Sequence, residues 1–254
     1  MERQTVDLSL YEHLPARALL RILVRKLSRR FGRAIPPFDD GVPEDRTWSE
    51  RPPKIHVIAV AFQRFGELEV FVRSLQNQTA ANWGLTVIHD GPDPEFTAIM
   101  NDLCAAGEYD IDHFCTEQRY GDWGHSLREI GLARTRGDFV ILTNADNYFI
   151  PRTVEFLNEY FRTRNPDALV FNMVHSHRNA GVRRCEPYSF LETHYRRFYI
   201  DISAALIRSE LAARAGFRDK SHDADATYFE DVAAVKEGGP LVVGKIPNIL
   251  LVHN

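Results

Sequence analysis

Gly137-Asp138-Phe139-Val140-Ile141-Leu142-Thr143-Asn144-Ala145-Asp146-Asn147 is an apolar run that ends in a cluster of one carboxylate and two amides. It reads as a buried strand that delivers Asp146 to a cleft, where the carboxylate faces a metal. A hard cation needs oxygen ligands held at the rim of a rigid element, and a strand leaving a sheet provides such a rim. Asp and Asn after a strand also serve as plain turn formers, and Pro151 announces a following helix, so these residues alone leave both readings open.

Outward from this strand, apolar runs and helical spacing alternate in the manner of an α/β sheet. Ile55–Phe62 is a β-branched strand, followed by a helix over Glu67–Gln76 with Leu68, Phe71, Val72 and Leu75 on one face. Leu85–His89 is a second strand that ends in the turn Asp90-Gly91-Pro92-Asp93. A helix over Phe96–Ala106, a short strand at Ile111–Cys115 and a helix over Ser126–Ala133 lead to the strand Phe139–Thr143. Four strands with crossover helices imply a mainly parallel sheet. Ligands of such sheets sit outside the C-terminal strand ends, where the loops that start at Ala61, Asp90 and Asn144 would meet.

The second half is less regular. The pattern predicts a helix over Thr153–Phe161, strands at Ala168–Val174 and Ile200–Ile207, helices over Ser209–Ala215 and Tyr228–Lys236, and a last strand over Leu241–Val252. The stretch 175–192 is polar and aperiodic. His175-Ser176-His177 has the spacing of a metal pair, but no cysteine or acid partner is evident nearby, and it reads as a solvated loop.

Residues 17–33 carry seven basic side chains and no acid, interleaved with leucines, and read as a basic amphipathic helix. Such a helix either lies on an anionic membrane surface or packs on protein; residues 14–33 are the expected segment of peripheral contact. The stretch 34–53 is rich in proline and reads as a linker, which leaves residues 54–254 as the main domain. No run of about 18 uncharged apolar residues occurs, so a membrane span is not expected. The net charge of −4 argues against general nucleic-acid affinity. Cys104, Cys115 and Cys185 are far apart and odd in number, which suggests a reducing, cytoplasmic setting rather than a disulfide framework.

Four ordered segments together resemble the family 2 glycosyltransferases of the GT-A fold. They are Val57–Arg64 with Ser74-Leu75-Gln76-Asn77-Gln78-Thr79; Val87-Ile88-His89-Asp90-Gly91; Ser126–Gly131 with Arg136–Phe139 and Asn144–Asn147; and Ala204–Arg208 with Ala215-Gly216-Phe217 and Phe229-Glu230-Asp231. The resemblance implies an α/β, GT-A (Rossmann-like), mainly parallel sheet with flanking helices and an acceptor-side subregion. The chain departs from the family at Asn144 and Asn147, where acids are frequent, and at His89 and Gln63. Asp146 is thereby left as the one anionic metal ligand of its motif. No Gln-x-x-Arg-Trp follows Asp231, which favours transfer of a single sugar over polymerisation.

By the same resemblance, Asp146 and the terminal-strand His253 would hold Mn²⁺ or Mg²⁺, with Asn144, Ala145 and Asn147 beside them. Asp90, the Ala61–Phe62 backbone, Arg64 and Arg128 would bind the nucleotide sugar, expected to be UDP-linked. Asp231 would remove the acceptor proton in an inverting displacement, with Glu230 as a neighbour and sugar ligand. On its own, Asp231 is equally an ordinary acid near a helix N-terminus. The acceptor implied is a glycan or lipid-linked glycan in surface polysaccharide assembly. Asp223-Ala224-Asp225 matches the metal motif by letters but follows no apolar strand, and reads as an acceptor-side loop. The competing classes are a sugar nucleotidyltransferase, whose Gly-rich phosphate loop is missing after the first strand, and a non-catalytic nucleotide- or sugar-binding module.

Overall fold

β1 (Ile55–Ala61) is buried along its whole length, because helices cover both faces of the sheet at this point. The computed structural model describes Val42 and residues 51–105, 107–180, 184–222 and 224–254. The N-terminal helical segment 1–33 and most of the linker 34–53 therefore lie outside the described residues. β1 pairs in parallel with β2 (Trp83–His89) on one side and β4 (Phe139–Asn144) on the other, and β2 pairs in parallel with β3 (Ile111–Cys115). The crossovers are α1 (Phe65–Gln76), α2 (Pro94–Cys104) and α3 (His125–Leu132). Helix α2 starts where the side chain of Asp93 accepts from the Phe96 N–H and Pro94 supplies a preset first turn.

Beyond β4 the sheet becomes mixed. β8 (Ala205–Arg208) runs antiparallel to β4 and to β6 (Ala168–His175), while β9 (Val243–His253) runs parallel to β6. β5 (Tyr148–Phe149) pairs with the end of β9, and β7 (Ser189–Leu191) with the end of β6. The parallel expectation thus holds for the first four strands and gives way in the second half. Helices α4 (Thr153–Phe161), α5 (Ser209–Ala215) and α6 (Ala224–Ala234) complete the described fold.

Alternation along β1 builds two cores. Ile55, Val57 and Ala59 face Phe71 of α1, Met100 of α2 and Phe161 of α4, whereas Ile58 and Val60 face Leu127 of α3, Leu211 of α5 and Val232 of α6. Burial of each such large side chain contributes about 1.5–3 kcal/mol. Helix α3 presses so closely on β1 that a Cβ on Gly131 would stand 2.4 Å from a methyl of Ile58.

Three boundaries move relative to the sequence pattern. β6 and β9 run on through His175 and His253, so the two histidines end paired strands rather than sitting in a loop and just past a strand. Helix α6 starts at Ala224 and not at Tyr228, because Ala224, Thr227, Tyr228 and Val232 form one buried helical stripe. Glu230 and Asp231 consequently lie in the middle of a helix.

Candidate active site

The ends of β1, β2 and β4 and the loop before α3 enclose a cavity of about 370 Å³. β1 contributes Ala61 to Arg64, β2 contributes Asp90, β4 contributes Asn144, Ala145 and Asp146, and the loop contributes Arg119, Gly121, Trp123 and Gly124. The three strand ends named from the sequence therefore meet in one place. His89 does not line it; its ring packs at 4.9 Å from Phe96, and its Nδ1 contacts the Gly91 carbonyl.

The lining is rigid. Gln63 and Arg64 both take left-handed backbone at φ 56 and 54, which turns the chain sharply from β1 into α1. Such conformations in non-glycine residues cost of the order of 1–3 kcal/mol each and concentrate at functional sites. Opposite them, Asp90 accepts from the backbone N–H of Tyr120 at 2.7 Å and of Gly121 at 3.0 Å, and so fixes the far wall. These bonds leave the carboxylate further acceptor capacity toward the cavity. The Arg119 guanidinium lies 3.9 Å over the Phe62 ring and forms part of that wall.

Asp146 is poised but not saturated. Its Oδ2 pairs with Arg64 at 2.7 Å, while its Oδ1 is buried without a hydrogen-bond partner. A buried, unpartnered carboxylate oxygen at the rim of the cavity fits a hard divalent cation.

Arg128 lies behind the wall formed by Asn144 and Trp123 and is 2 % exposed. Its Nη2 donates to Asn144 Oδ1, its Nη1 to the Trp123 carbonyl at 3.0 Å and to His125 Nδ1 at 3.2 Å, and its Nε has no partner. Because arginine can only donate, His125 accepts through Nδ1 and carries its proton on Nε2, which donates to the Ser221 carbonyl at 3.0 Å. Burial, with Arg128 alongside, lowers the His125 pKa to about 4, so the ring stays neutral. Asp225, Asp201, Asp122 and Asp146 surround the guanidinium electrostatically. Among the described residues no carboxylate stands within ion-pair distance of it.

The other assigned residues lie elsewhere. Asp231 pairs with Arg218 at 2.7 Å, Glu230 pairs with Arg197, and neither lines the cavity. Asp225, in the first turn of α6, instead faces Arg128 and Asp201, and burial raises its pKa to about 6. The sequence places Asp225 in an acceptor-side loop, because Asp223-Ala224-Asp225 follows no apolar strand; it lies instead in the first turn of α6, and the buried stripe Ala224, Thr227, Tyr228 and Val232 is the signal for that helix. His253 sits in a group with His175 and Asp201 rather than on the cavity lining. Asp201 is an acid beside His175 and His253, with His177 outside the group, and it lies too far along the chain to be linked to either by spacing. Arg119 and Trp123 were also missed, since loop residues carry no periodicity. Trp123 is 65 % exposed in left-handed backbone at φ 61 on the cavity rim.

The profile of glycosyl transferase family 2 matches residues 56–221, and the chain belongs to this family. Among solved structures, TarS 1-349 of S. aureus is similar at a TM-score of 0.61 and 14% identity, with 79% of this chain and 60% of that chain covered. The mannosyltransferase PcManGT from Pyrobaculum calidifontis, in complex with GDP-Man and Mn²⁺, aligns at 0.61 and 14%, covering 93% and 65%. TarS 1-349 in complex with UDP-GlcNAc aligns at 0.60 and 15%, covering 78% and 58%. The chain thus spans about three fifths of the length of these solved chains. No curated protein sequence matches it. Among the described residues, no helix is long and apolar enough to cross a membrane.

Proposed function

We propose that the protein transfers one sugar from a nucleotide sugar to an acceptor hydroxyl with inversion at the anomeric carbon. The observation that carries this reading is the buried Arg128, which has no ion-pair partner among the described residues and sits directly behind a cavity built from three strand ends. A buried guanidinium whose nearby carboxylates stand beyond ion-pair distance gains from a bound anion close to it, and a diphosphate is such an anion. Related folds bind UDP-GlcNAc and GDP-Man, which supports a nucleotide sugar as the ligand. A UDP-linked donor remains the proposed one.

In this reading Phe62 and the Ala61 backbone receive the base and Asp90 accepts from it. Arg64 contacts the diphosphate from the cavity lining, and Arg128 supplies positive charge from behind the wall. Asp146 would hold Mn²⁺ or Mg²⁺ through its unpartnered Oδ1, with Asn144 and Ala145 shaping the approach. A divalent ion there supplies positive charge to the departing diphosphate. The acceptor oxygen attacks the anomeric carbon as the bond to the diphosphate oxygen breaks, and the hydroxyl proton passes to a carboxylate.

For that carboxylate we favour Asp225 over Asp231. Neither lines the cavity, but Asp225 combines proximity to Arg128 with a pKa of about 6, whereas Asp231 is tied to Arg218 at 2.7 Å. Glu230, tied to Arg197, then has a structural part in α6. A glycan or lipid-linked glycan acceptor, peripheral membrane contact through residues 14–33 and a cytoplasmic role in surface polysaccharide assembly complete the proposal. Calorimetric titration with UDP, GDP and CMP, each with Mn²⁺ and with EDTA, tests it. Metal-dependent binding of one nucleotide is expected, and binding of none would leave a non-catalytic module as the better reading.

A further inference from the structure

We propose that the cavity beside β6 and β7 is a subsite for one pyranose ring of the acceptor, with Phe198 as its stacking platform and Asp201 and His175 as its hydroxyl partners. The inference rests on the sugar-transfer reading above and gives its acceptor a place and a chemistry. The cavity, of about 110 Å³, is lined by the buried apolar side chains Met173, Ala180 and Leu191 and, among others, by Phe198, Asp201 and His175. An apolar wall with a few convergent polar groups is the usual make-up of a small-ligand site. The volume takes the edge of one sugar ring and not a chain.

Phe198 is 57 % exposed and takes left-handed backbone at φ 69, a conformation that a bulky residue adopts only where its surroundings hold it. The holding contacts are explicit. The His194 N–H donates to the Tyr199 carbonyl at 2.9 Å and the Tyr199 N–H to the Arg196 carbonyl at 3.0 Å, which closes a tight turn around Phe198. The turn is fastened to α6, where the Tyr195 hydroxyl donates to the Phe229 carbonyl at 2.8 Å and Arg197 to Glu230 at 2.7 Å. A phenyl ring is thereby kept at a cavity mouth instead of being folded into the core. The electron-rich face of such a ring attracts the weakly positive C–H bonds on one face of a pyranose.

Asp201 and His175 supply the polar half of the subsite. Asp201 Oδ1 accepts the Ser203 N–H at 2.8 Å, which fixes the carboxylate, while Oδ2 keeps acceptor capacity. His175 accepts the His177 N–H through Nδ1 at 3.0 Å, so its proton sits on Nε2 and the ring is a donor. A ring nitrogen of His175 lies within 4.8 Å of a carboxylate oxygen of Asp201, a spacing that lets the two serve neighbouring hydroxyls of one ring. The subsite also adjoins the chemistry. Ile202, next to Asp201, gives its backbone N–H to the Asp225 carboxylate, so a sugar held at Asp201 stands beside the group favoured as base.

The test is saturation-transfer difference NMR on the full chain with the methyl glycosides of glucose, galactose, mannose and N-acetylglucosamine, each alone and each with UDP or GDP. Transfer to the ring C–H protons of at least one glycoside is expected, and it should persist when UDP-GlcNAc or GDP-Man is added in excess. Phe198→Gly suits the left-handed backbone, so the fold is kept, and it should abolish the transfer, whereas Phe198→Tyr retains it. Asp201→Asn keeps an oxygen for the Ser203 N–H and should weaken glycoside affinity by about tenfold. The proposal is overturned by the absence of transfer to every glycoside, by transfer that survives Phe198→Gly in a folded protein, or by unchanged affinity in Asp201→Asn. Transfer lost on adding nucleotide sugar would also overturn it, because the glycoside would then sit in the donor cavity. Since glycoside binding is read in the absence of nucleotide as well, failure here would leave the donor-site reading standing, and failure of nucleotide binding would leave this subsite standing.

Discussion

Arg128 Nη2 donates to Asn144 Oδ1, and this single contact joins α3 to the end of β4 at the wall of the donor cavity. The neutral amide satisfies one guanidinium N–H without cancelling its charge. An aspartate at 144 would form an ion pair instead, and the positive field behind the cavity would fall. The contact gives a physical meaning to a position where the family often carries an acid.

The first prediction follows from the fork. Arg128→Lys keeps the charge but cannot serve Asn144, the Trp123 carbonyl and His125 together. We expect nucleoside diphosphate affinity to fall by at least about tenfold, equivalent to roughly 1.4 kcal/mol. Asn144→Asp should stabilise the fold while also weakening binding of the nucleotide without metal. Calorimetry and thermal melts on the two variants check both halves.

Much of this arrangement was readable in the chain and part of it was not. The strands at 55–61, 83–89 and 139–144 announce themselves because they are buried on both faces, which leaves an uninterrupted apolar run and a polar break at the cavity. Asp90, Asn144 and Asp146 follow from those breaks. Asp225, Asp201 and His175 do not, because their roles come from side chains that meet across segments far apart in sequence. The reversal of β8 between β4 and β6 was equally hidden, since a four-residue strand carries no sign of its direction. The start of α6 is hidden because its first turn, Ala224-Asp225-Ala226-Thr227, carries no large apolar side chain to mark the buried stripe.

Asp146 supports a second prediction. Asp146→Ala should abolish metal-stimulated nucleotide binding, since it removes a buried carboxylate oxygen that, among the described residues, has no partner and sits on the cavity lining. Arg64→Ala should act oppositely on the ion alone, because it frees Oδ2 from the 2.7 Å ion pair. Titration of Mn²⁺ by electron paramagnetic resonance, without nucleotide, distinguishes the two. Equal Mn²⁺ affinity in both variants would remove Asp146 from the site.

Stability should fall on acidification before the carboxylates as a class protonate. His56 and His125 have pKa values lowered from 6.5 to about 4, chiefly by burial. Between these values the unfolded chain binds protons that the fold does not, so stability drops as pH falls from 6.5 toward 4. Asp225 works against this, because its pKa is raised from 3.8 to about 6 and the fold binds its proton first. Two histidines against one carboxylate leave a net loss of about 2 kcal/mol between pH 7 and pH 5. Urea titrations at the two pH values measure it, and His125→Gln should remove a large share of the slope.

The base assignment is the sharpest test of the mechanism. If Asp225 takes the acceptor proton, the acid limb of the turnover profile should sit near its pKa of about 6, with activity rising as the carboxylate ionises. Asp225→Asn should then lower turnover by about 10²–10⁴-fold while donor affinity changes little. The same variant should be more stable at neutral pH by about 2 kcal/mol, a figure discounted from the full shift because water still reaches part of the carboxylate. Asp231→Asn should break only the exposed contact with Arg218 and cost little in rate. The opposite pattern, a near-normal rate in Asp225→Asn and collapse in Asp231→Asn, would return the base to the middle of α6. The loop that carries Arg218 would then have to swing that carboxylate toward the cavity during turnover. Single-turnover rates with saturating donor, measured across pH on both variants, decide between them.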